Sequence, residues 1–264
     1  HAYNWDLDQQ FSKKSNKIVL LPDFSAEIKF SNSKKIKLNY QLKSAFSNAS
    51  KLANRFYLQS YNSVYKGNEH LENELYHSAR MYYSRFSLYR GLMLFGGINY
   101  SKKIEGLQNA VQFNETDQYV SPILVAYASE NWSFNLNIDK KIKKFKYGLN
   151  TRVLTSSYLQ NINEAFVTNK SNNYSYTLSV KTLFDKFPTI EAGFEQSLGN
   201  YTSSNTTSKF ITNQPYLNID YDFFEGFIFS FEYENYNYEN KTSNQKSTYQ
   251  IANSTLSYKN EDSA

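Results

Sequence analysis

Apolar and polar residues alternate over much of the chain, and this alternation predicts β-strands. The clearest hairpin runs from 24 to 43 and reverses at 32–34. Its apolar positions are every second residue on each side of the turn: Phe24, Ala26, Ile28, Phe30, Ile36, Leu38, Tyr40 and Leu42. Because successive side chains of a strand point to opposite faces, each strand has one apolar and one polar face. The same pattern recurs at 132–139, 174–181, 217–223 and 227–234.

The predicted strands are longer than those of ordinary soluble sheets. Segments 74–87 and 92–104 form a hairpin around a turn at 88–91, with roughly thirteen residues per strand, whereas soluble strands have about 5–6. A tilted strand that crosses a membrane needs ~9–11 residues and some overhang. The length therefore favours membrane-crossing strands.

One segment allows two interpretations. Ile123–Ala128 and Trp132–Asp139 are either separate strands joined at 129–131, or one long strand with a bulge that begins just after Pro122. Up-and-down barrels alternate short turns on one side with long loops on the other, and only the single strand keeps that alternation. We therefore predict the single strand.

With this choice the sequence predicts twelve strands, the first from Ala2 to Phe11. Short turns are predicted near 32–34, 88–90, 141–144, 185–187, 224–225 and from Asn260 onward. Long connections are predicted near 13–22, 48–73, 105–120, 158–171, 200–208 and 241–245. Within the second of these, segment 50–65 allows a turn or two of helix.

Composition supports a membrane location for these strands. Aromatic residues make up 17% of the chain, with 24 Tyr and 20 Phe, although only 40% of it is hydrophobic. A lipid-facing band between aromatic girdles, around a polar lumen, has this composition. We therefore predict an all-β fold, an antiparallel up-and-down transmembrane β-barrel segment of about 12 strands. The residues predicted to face lipid are Trp132, Phe134, Leu136, Ile138, Phe227, Phe229 and Phe231.

Two further observations decide which other fold classes stay open. Alternation alone does not tell which face of a strand lies inside, so a soluble β-rich sandwich or surface adhesin stays open. No run of residues approaches the ~18 apolar positions of a membrane helix, which excludes a helical span.

The residues that could carry catalysis or bind a metal form no recognisable set. His70 and His77 lie seven residues apart, but zinc sites usually have three or four protein ligands and no carboxylate is placed to complete one. Ser78 points to the opposite strand face from His77, so the pair is not a nucleophile–base dyad. Glu232 and Glu234 share a face without a convergent pocket. We predict no enzymatic activity, no metal and no cofactor.

Charge and cysteine content exclude other classes. The formal net charge of +5 comes mostly from lysine clusters at predicted turns, such as Lys34-Lys35 and 140–146. No nucleic-acid-binding module accompanies them, so solvated turns or contacts with acidic lipid headgroups explain them better. The absence of cysteine removes disulfides and thiolate metal sites.

The segment leading into 74–87 resembles the signature of a known family. GNEHLENELYHSARMYYS is similar to the G-N-P-x-L-x-P-E motif that opens a strand in the C-terminal half of TonB-dependent outer-membrane receptors, especially the Bacteroidetes-type outer-membrane β-barrel family. The matching residues are Gly67, Asn68, Leu71 and Glu74, whereas Glu69 and Asn73 stand where the family usually has proline. Shorter resemblances lie at Leu20–Phe24, Ile36–Leu42 and Tyr249–Tyr258.

The resemblance implies an architecture larger than this chain. Barrels of that family have 22 strands and a plugged lumen. Residues 1–264 would then be one incomplete domain, the second half of the barrel without its last strands. We expect the chain to be a piece of a longer protein, with the plug domain and a TonB-contacting segment outside it.

The resemblance also implies a function, location and partners. The barrel would lie in the outer membrane of a Gram-negative bacterium and take up a ligand bound by extracellular loops at 48–73, 105–120 and 158–171. Its expected partners are outer-membrane lipid and lipopolysaccharide, a TonB-type energy-coupling protein reached through the missing N-terminal part, and an outer-membrane protein or lipoprotein. The alternative function is a structural, receptor-like barrel, a subunit of an outer-membrane assembly or secretion complex.

Overall fold

Strands make up most of the structure and follow one another in chain order. The computed structural model describes residues 4–5, 10–11, 18–185, 187–224 and 226–258. The strands are β1 (Asn4–Trp5), β2 (Gln10–Phe11), β3 (Asp23–Ser31), β4 (Lys34–Ala45), β5 (Phe56–Ser60), β6 (Ser63–Lys66), β7 (Glu74–Ser87), β8 (Leu92–Asn114), β9 (Asp117–Ile142), β10 (Phe145–Ile162), β11 (Ala165–Thr182), β12 (Thr189–Ser203), β13 (Thr206–Phe223), β14 (Phe227–Asn240) and β15 (Gln245–Tyr258). A short helix, α1 (Ala49–Leu52), lies between β4 and β5.

The main sheet is a meander of antiparallel neighbours. Its strand order is β3, β4 and then β7 through β15, and the β5–β6 hairpin attaches beside β9 to give 13 strands. Each strand of the main path pairs antiparallel with the next. The predicted all-β, antiparallel up-and-down arrangement is therefore confirmed.

The short turns lie where the sequence predicts them. Turns at 32–33, 88–91 and 143–144 join β3 to β4, β7 to β8 and β9 to β10. The connections predicted near 185–187 and 224–225 are also found, as far as their residues are described. The predicted turn from Asn260 onward lies outside the described residues.

Three of the predicted long connections are wrong. Segments 105–120, 158–171 and 200–208 are mostly strand, because β8–β9, β10–β11 and β12–β13 extend to two-residue turns. Extended hairpins of this kind satisfy their backbone groups by cross-strand pairing, which does not require an apolar face. The connection near 48–73 is long as predicted but contains α1, β5 and β6, and 241–244 is a short turn. Most of the predicted connection at 13–22 lies outside the described residues.

The single-strand interpretation of 123–139 is confirmed. β9 is one strand of 26 residues, and it begins at Asp117, upstream of the predicted start after Pro122. The predicted bulge is present at Tyr127, which has a φ of 52°, and the β8–β9 register shifts at this point. A bulge bends the strand and increases its local twist.

The predicted first strand, from Ala2 to Phe11, lies largely outside the described residues. Its described parts, β1 and β2, pair antiparallel with each other in a separate two-stranded sheet. These parts are therefore not one continuous strand, and the described meander contains eleven strands in series rather than twelve.

The buried apolar side chains of the described residues cluster where β6, β8 and β9 meet. Tyr65, Val120 and Val125 are 5–7% exposed and Ala128 is 0% exposed. Elsewhere the sheet is a single layer, and large apolar side chains such as Leu178 stay about half exposed. Within the described ranges, no helix has the length and apolar character to cross a membrane.

Candidate functional surfaces

One face of the main sheet is apolar across many strands, and we call it the apolar face. From β9 to β14 the described pairings contain no register shift, so alternate residues keep their face from strand to strand. All the residues predicted to face lipid therefore share this face: Trp132, Phe134, Leu136 and Ile138 on β9, and Phe227, Phe229 and Phe231 on β14. In β8 the partners of the β9 residues are Tyr100, Ile98, Gly96 and Leu94.

The short turns are displaced stepwise across the sheet, and the displacement gives the strand tilt. One row of register partners runs from β4 to β13: Lys34, Arg85, Leu94, Ile138, Leu149, Leu178, Phe194 and Pro215. Lys34 directly follows its turn, but Pro215 precedes its turn residue Phe224 by nine positions. The line of turns is thus displaced by roughly eight residues over seven strand steps. With ~3.3 Å per residue and ~4.8 Å between strands, the strands tilt by about 40°.

Aromatic rings mark both edges of the apolar face. We call the edge with the short turns the turn end and the opposite edge the hairpin end. At the hairpin end, the rings of Tyr100 and Trp132 lie 4.3 Å apart. At the turn end, Phe145 and Phe184 lie 5.8 Å apart. A second ring cluster at the turn end joins Phe223, Phe227 and Tyr258, with separations of 5.9 and 4.8 Å.

The height of the apolar face follows from these positions. On β9 it extends from Trp132 to Ile142, with Glu130 beyond one limit and the Lys143-Lys144 turn beyond the other. Lys140 also lies on this face, two residues inside the second limit, and its ammonium reaches out to the Arg90 carbonyl of the turn. Ten residues at ~3.3 Å each give about 33 Å along the strand. At a tilt of about 40° this corresponds to a band about 25 Å high.

The opposite face, which we call the polar face, has charges of different sign in different regions. β4 contributes Lys35, Lys37 and Lys43, and Lys37 pairs with Glu27 at 2.8 Å. β12 to β14 contribute carboxylates: Glu191, Glu195, Asp220, Asp222, Glu232 and Glu234. Glu191 pairs with Lys181 of β11 at 3.4 Å. Glu232 and Glu234 therefore lie together on this polar face.

At the hairpin end, the strands of the β8–β9 hairpin change neighbours. Near the turn end β8 lies beside β7, and β9 lies beside β10. Beyond the bulge at Tyr127, β8 pairs in parallel with β10 at Ala110, and β9 pairs in parallel with β6 at Tyr119. The two-stranded ribbon has therefore rotated about its own axis. Two-stranded ribbons twist more than wide sheets, and a bulge adds to the twist.

Side-chain and backbone hydrogen bonds hold the rotated hairpin on both sides. Asn163, in the β10–β11 turn, donates its backbone N–H to the Val111 carbonyl at 2.8 Å, and its Oδ1 accepts from the Phe113 N–H at 2.8 Å. On the other side, Asn62 donates through Nδ2 to the Thr116 carbonyl at 3.0 Å. The hairpin is thus fixed to β10–β11 and to β5–β6 rather than free in solvent.

The residues of the family-like motif anchor the connection into β7. A Cβ added to Gly67 would lie 2.1 Å from the Ala53 carbonyl oxygen, so only glycine fits there. Asn68 donates its backbone N–H to the Lys51 carbonyl at 2.7 Å and its Nδ2 to the Pro122 carbonyl at 3.2 Å. Leu71 follows in a turn, where its N–H lies 3.4 Å from the Asn68 carbonyl. The motif therefore ties the connection to α1 and to β9.

Glu74, the last motif residue, clamps the base of the rotated hairpin. Its Oε1 accepts from Lys103 Nζ at 2.6 Å and from the Leu107 N–H at 2.7 Å. Glu74 lies beyond the level of Trp132, outside the apolar band. Although burial by itself raises the pKa of Glu74, the bonds from Lys103 and Leu107 bring this pKa below its ordinary value. The carboxylate is therefore held ionised.

The two described histidines, His70 and His77, lie in different surroundings. His77 lies on the apolar face, where its Nδ1 is 2.8 Å from the Tyr40 hydroxyl, and Ser78 lies on the other face as expected. His70 is in the exposed connection, 3.7 Å from Glu69. In the described part of the chain, no three His, Cys, Asp or Glu side chains are grouped to hold a metal ion.

Sequence reasoning missed the clamp and the hairpin ties. Glu74 and Lys103 are 29 residues apart, and nothing in a single sequence pairs them. Asn163 carried a usable signal, because asparagine favours the positive φ of two-residue hairpin turns, and its φ is 48°.

Comparisons with known proteins add little to this geometry. No protein-family model matches the sequence, and no curated protein matches it. Among solved structures, the chain is similar to in-vitro-folded OmpT, an outer membrane protein of Vibrio cholerae, with 10% sequence identity and a TM-score of 0.39. That match covers 89% of this chain and 86% of the other. The functional interpretation rests on the sheet itself.

Proposed function

We propose that the sheet is part of the wall of a transmembrane β-barrel in the outer membrane of a Gram-negative bacterium. The observation that carries the proposal is the apolar band, which is about 25 Å high and has aromatic rings at both edges. Outer-membrane barrels have an apolar band of ~25 Å between aromatic girdles and strands tilted by ~35–45°. The strand tilt comes from the register, and the band height comes from that tilt and the positions of Trp132 and Ile142 on β9; both agree with these values.

The remaining surfaces support the same proposal. In such a barrel the polar face lines a water-filled lumen, which explains why charged residues such as Lys37 and Glu234 alternate with large apolar ones. A soluble sandwich would instead bury the apolar face against a second sheet. Among the described residues, β3 and β15 have no partner on their outer edges. In the proposed barrel these edges would pair with further strands, because long free edges promote aggregation and barrel closure removes them.

We further propose that the barrel belongs to a TonB-dependent receptor that takes up a ligand bound at the hairpin end. The resemblance of Gly67, Asn68, Leu71 and Glu74 to the family motif motivates this step. All four lie in one connection that joins α1, β7 and the β8–β9 hairpin. The projecting hairpins, rather than flexible loops, would form the ligand-binding surface.

The barrel proposal is tested by membrane fractionation and gel mobility. We expect the full-length protein in the outer-membrane fraction, with a detergent-extracted band that migrates differently before and after boiling. Closed barrels resist unfolding in detergent without heat, and this resistance produces the difference. A water-soluble protein with a single mobility would overturn the proposal and favour the adhesin.

The uptake proposal needs a separate test. Crosslinking in living cells followed by purification of the full-length protein should recover a TonB-type energy-coupling protein. Recovery of only outer-membrane partners, from a protein that is heat-modifiable, would refute uptake and support the structural subunit instead.

A further inference from the structure

The apolar face contains a groove of about 530 Å³ near the turn end. Its walls come from β9 to β12 and include Ile138, Leu149, Leu178, Val180 and Phe194. The small side chain of Ala192 forms the depression, since Ala192 is the register partner of Val180 and lies two residues before Phe194 on the same face. Sites that bind small molecules have volumes of ~300–1,000 Å³, so the groove can hold a flexible apolar chain.

One charged side chain lies at the groove. Lys140 lines it beside Tyr147, which is its register partner. The Lys140 ammonium donates to the Arg90 carbonyl, which places it at the turn end. Between the groove and the turns, the described positions on the apolar face of β9 to β12 include no carboxylate. The local field on this part of the face is therefore positive.

Two neighbouring lysines already pair with acidic side chains. Lys144 pairs with Asp185 at 2.6 Å, and Lys146 lies on the polar face, 3.2 Å from Asp139. Lys140 is thus the ammonium that the apolar face itself presents at this site.

We propose that the groove binds one acyl chain of an anionic glycerophospholipid, whose phosphate is held at Lys140. This inference rests on the proposed barrel. The short turns of such barrels face the periplasm, so the turn end meets the periplasmic leaflet and its phospholipids. Basic pockets at membrane surfaces bind acidic headgroups. An apolar groove beside such a pocket can also bind an acyl chain of the same lipid.

The experiment measures quenching of tryptophan fluorescence by brominated lipids. The full-length protein is reconstituted into vesicles of phosphatidylcholine and phosphatidylglycerol, one of them brominated at a time. All tryptophans of the full-length protein, including Trp5 and Trp132, are changed to Phe, and Leu149→Trp places the reporter in the groove. A matched reporter, Leu256→Trp, lies on the apolar face of β15, far from the groove.

We expect brominated phosphatidylglycerol to bind at the Leu149→Trp site about fivefold more strongly than brominated phosphatidylcholine. Lys140→Gln should remove this preference, and so should high salt, because salt screens the exposed part of the interaction. The control Lys209→Gln removes a charge from the same face at the hairpin end and should leave the preference intact. The Leu256→Trp site should show no preference.

Two negative results have different meanings. Equal quenching by both lipids at the groove, or a preference that survives Lys140→Gln, would overturn the lipid site and leave the barrel standing. No quenching at either reporter, by either lipid, would overturn the barrel proposal itself.

Discussion

The central prediction concerns the cost of placing a charge on the apolar face. Leu136 lies four residues from Trp132 and six from Ile142, which at ~3.3 Å per residue and a tilt of about 40° is about 10 and 15 Å from the two edges of the band. In the proposed barrel this position is near the middle of the bilayer. Arginine facing lipid at the midplane costs ~2–4 kcal/mol, and near the interfaces ~0–1 kcal/mol.

The structure supplies matched variants at different depths. Thr151 is the β10 register partner of Leu136, so Thr151→Arg should cost about as much as Leu136→Arg, ~2–4 kcal/mol, without the loss of a large apolar side chain. Thr155 is the partner of Trp132 at the hairpin end, and Thr155→Arg should cost only ~0–1 kcal/mol. Asn137 lies on the polar face, where Asn137→Arg should be nearly neutral.

The assay is the free energy of unfolding of the full-length protein in lipid vesicles, measured by guanidinium titration. The unfolding and refolding curves of each variant should coincide before the free energies are compared. Equal costs for Leu136→Arg and Asn137→Arg would refute the assignment of faces. A cost that does not fall from Thr151→Arg to Thr155→Arg would refute the calculated depth.

Three further predictions concern the hairpin end. Glu74→Gln should speed hydrogen exchange of the Leu107 amide about tenfold, since a charged bond contributes ~1.5–3 kcal/mol. In the unchanged protein the same amide should be protected above pH 5, where the Glu74 carboxylate is ionised. It should lose protection as the pH falls through the pKa of Glu74, which lies below its ordinary value of 4.5. Protection that persists in acid would contradict the ionised clamp. Gly67→Ala should destabilise the connection by ~1–3 kcal/mol, which limited proteolysis would detect as faster cleavage there. The control Gly96→Ala, whose added Cβ would have its nearest contact at 3.5 Å, should not have this effect. Equal effects of the two substitutions would count against the close approach of Gly67 to the Ala53 carbonyl. Asn163→Gly keeps the positive φ but removes the side-chain acceptor, so the amide bonded to it should exchange faster, and unchanged exchange would show that the hairpin is not tied there.

The two-faced strands could be predicted from sequence because the solvent differs on their two sides. An apolar residue at every second position, as in Trp132–Ile138, is visible locally and fixes both the strand and its face. Short turns were found for the same reason, since the alternation stops where a turn begins. The single β9 strand was predicted because short turns and long connections alternate along an up-and-down barrel.

The extended hairpins could not be predicted in this way. In the proposed barrel both faces of the β8–β9 hairpin meet water beyond Trp132. Residues 105–120 therefore show weak alternation, although their backbone groups pair between β8 and β9. The resulting polar segments resemble loops in sequence. Backbone pairing does not depend on side-chain polarity, and therefore only the structure distinguishes a polar extended hairpin from a polar loop.

The local pattern is readable in the sequence: the strands, their apolar and polar faces and most of the short turns. The strand tilt, the rotation of the β8–β9 hairpin and the clamp between Glu74 and Lys103 arise only in the folded chain. These features depend on register between strands and on contacts between residues far apart in the chain. Alternation records which side of a strand is wet, whereas register depends on which partner each strand finds.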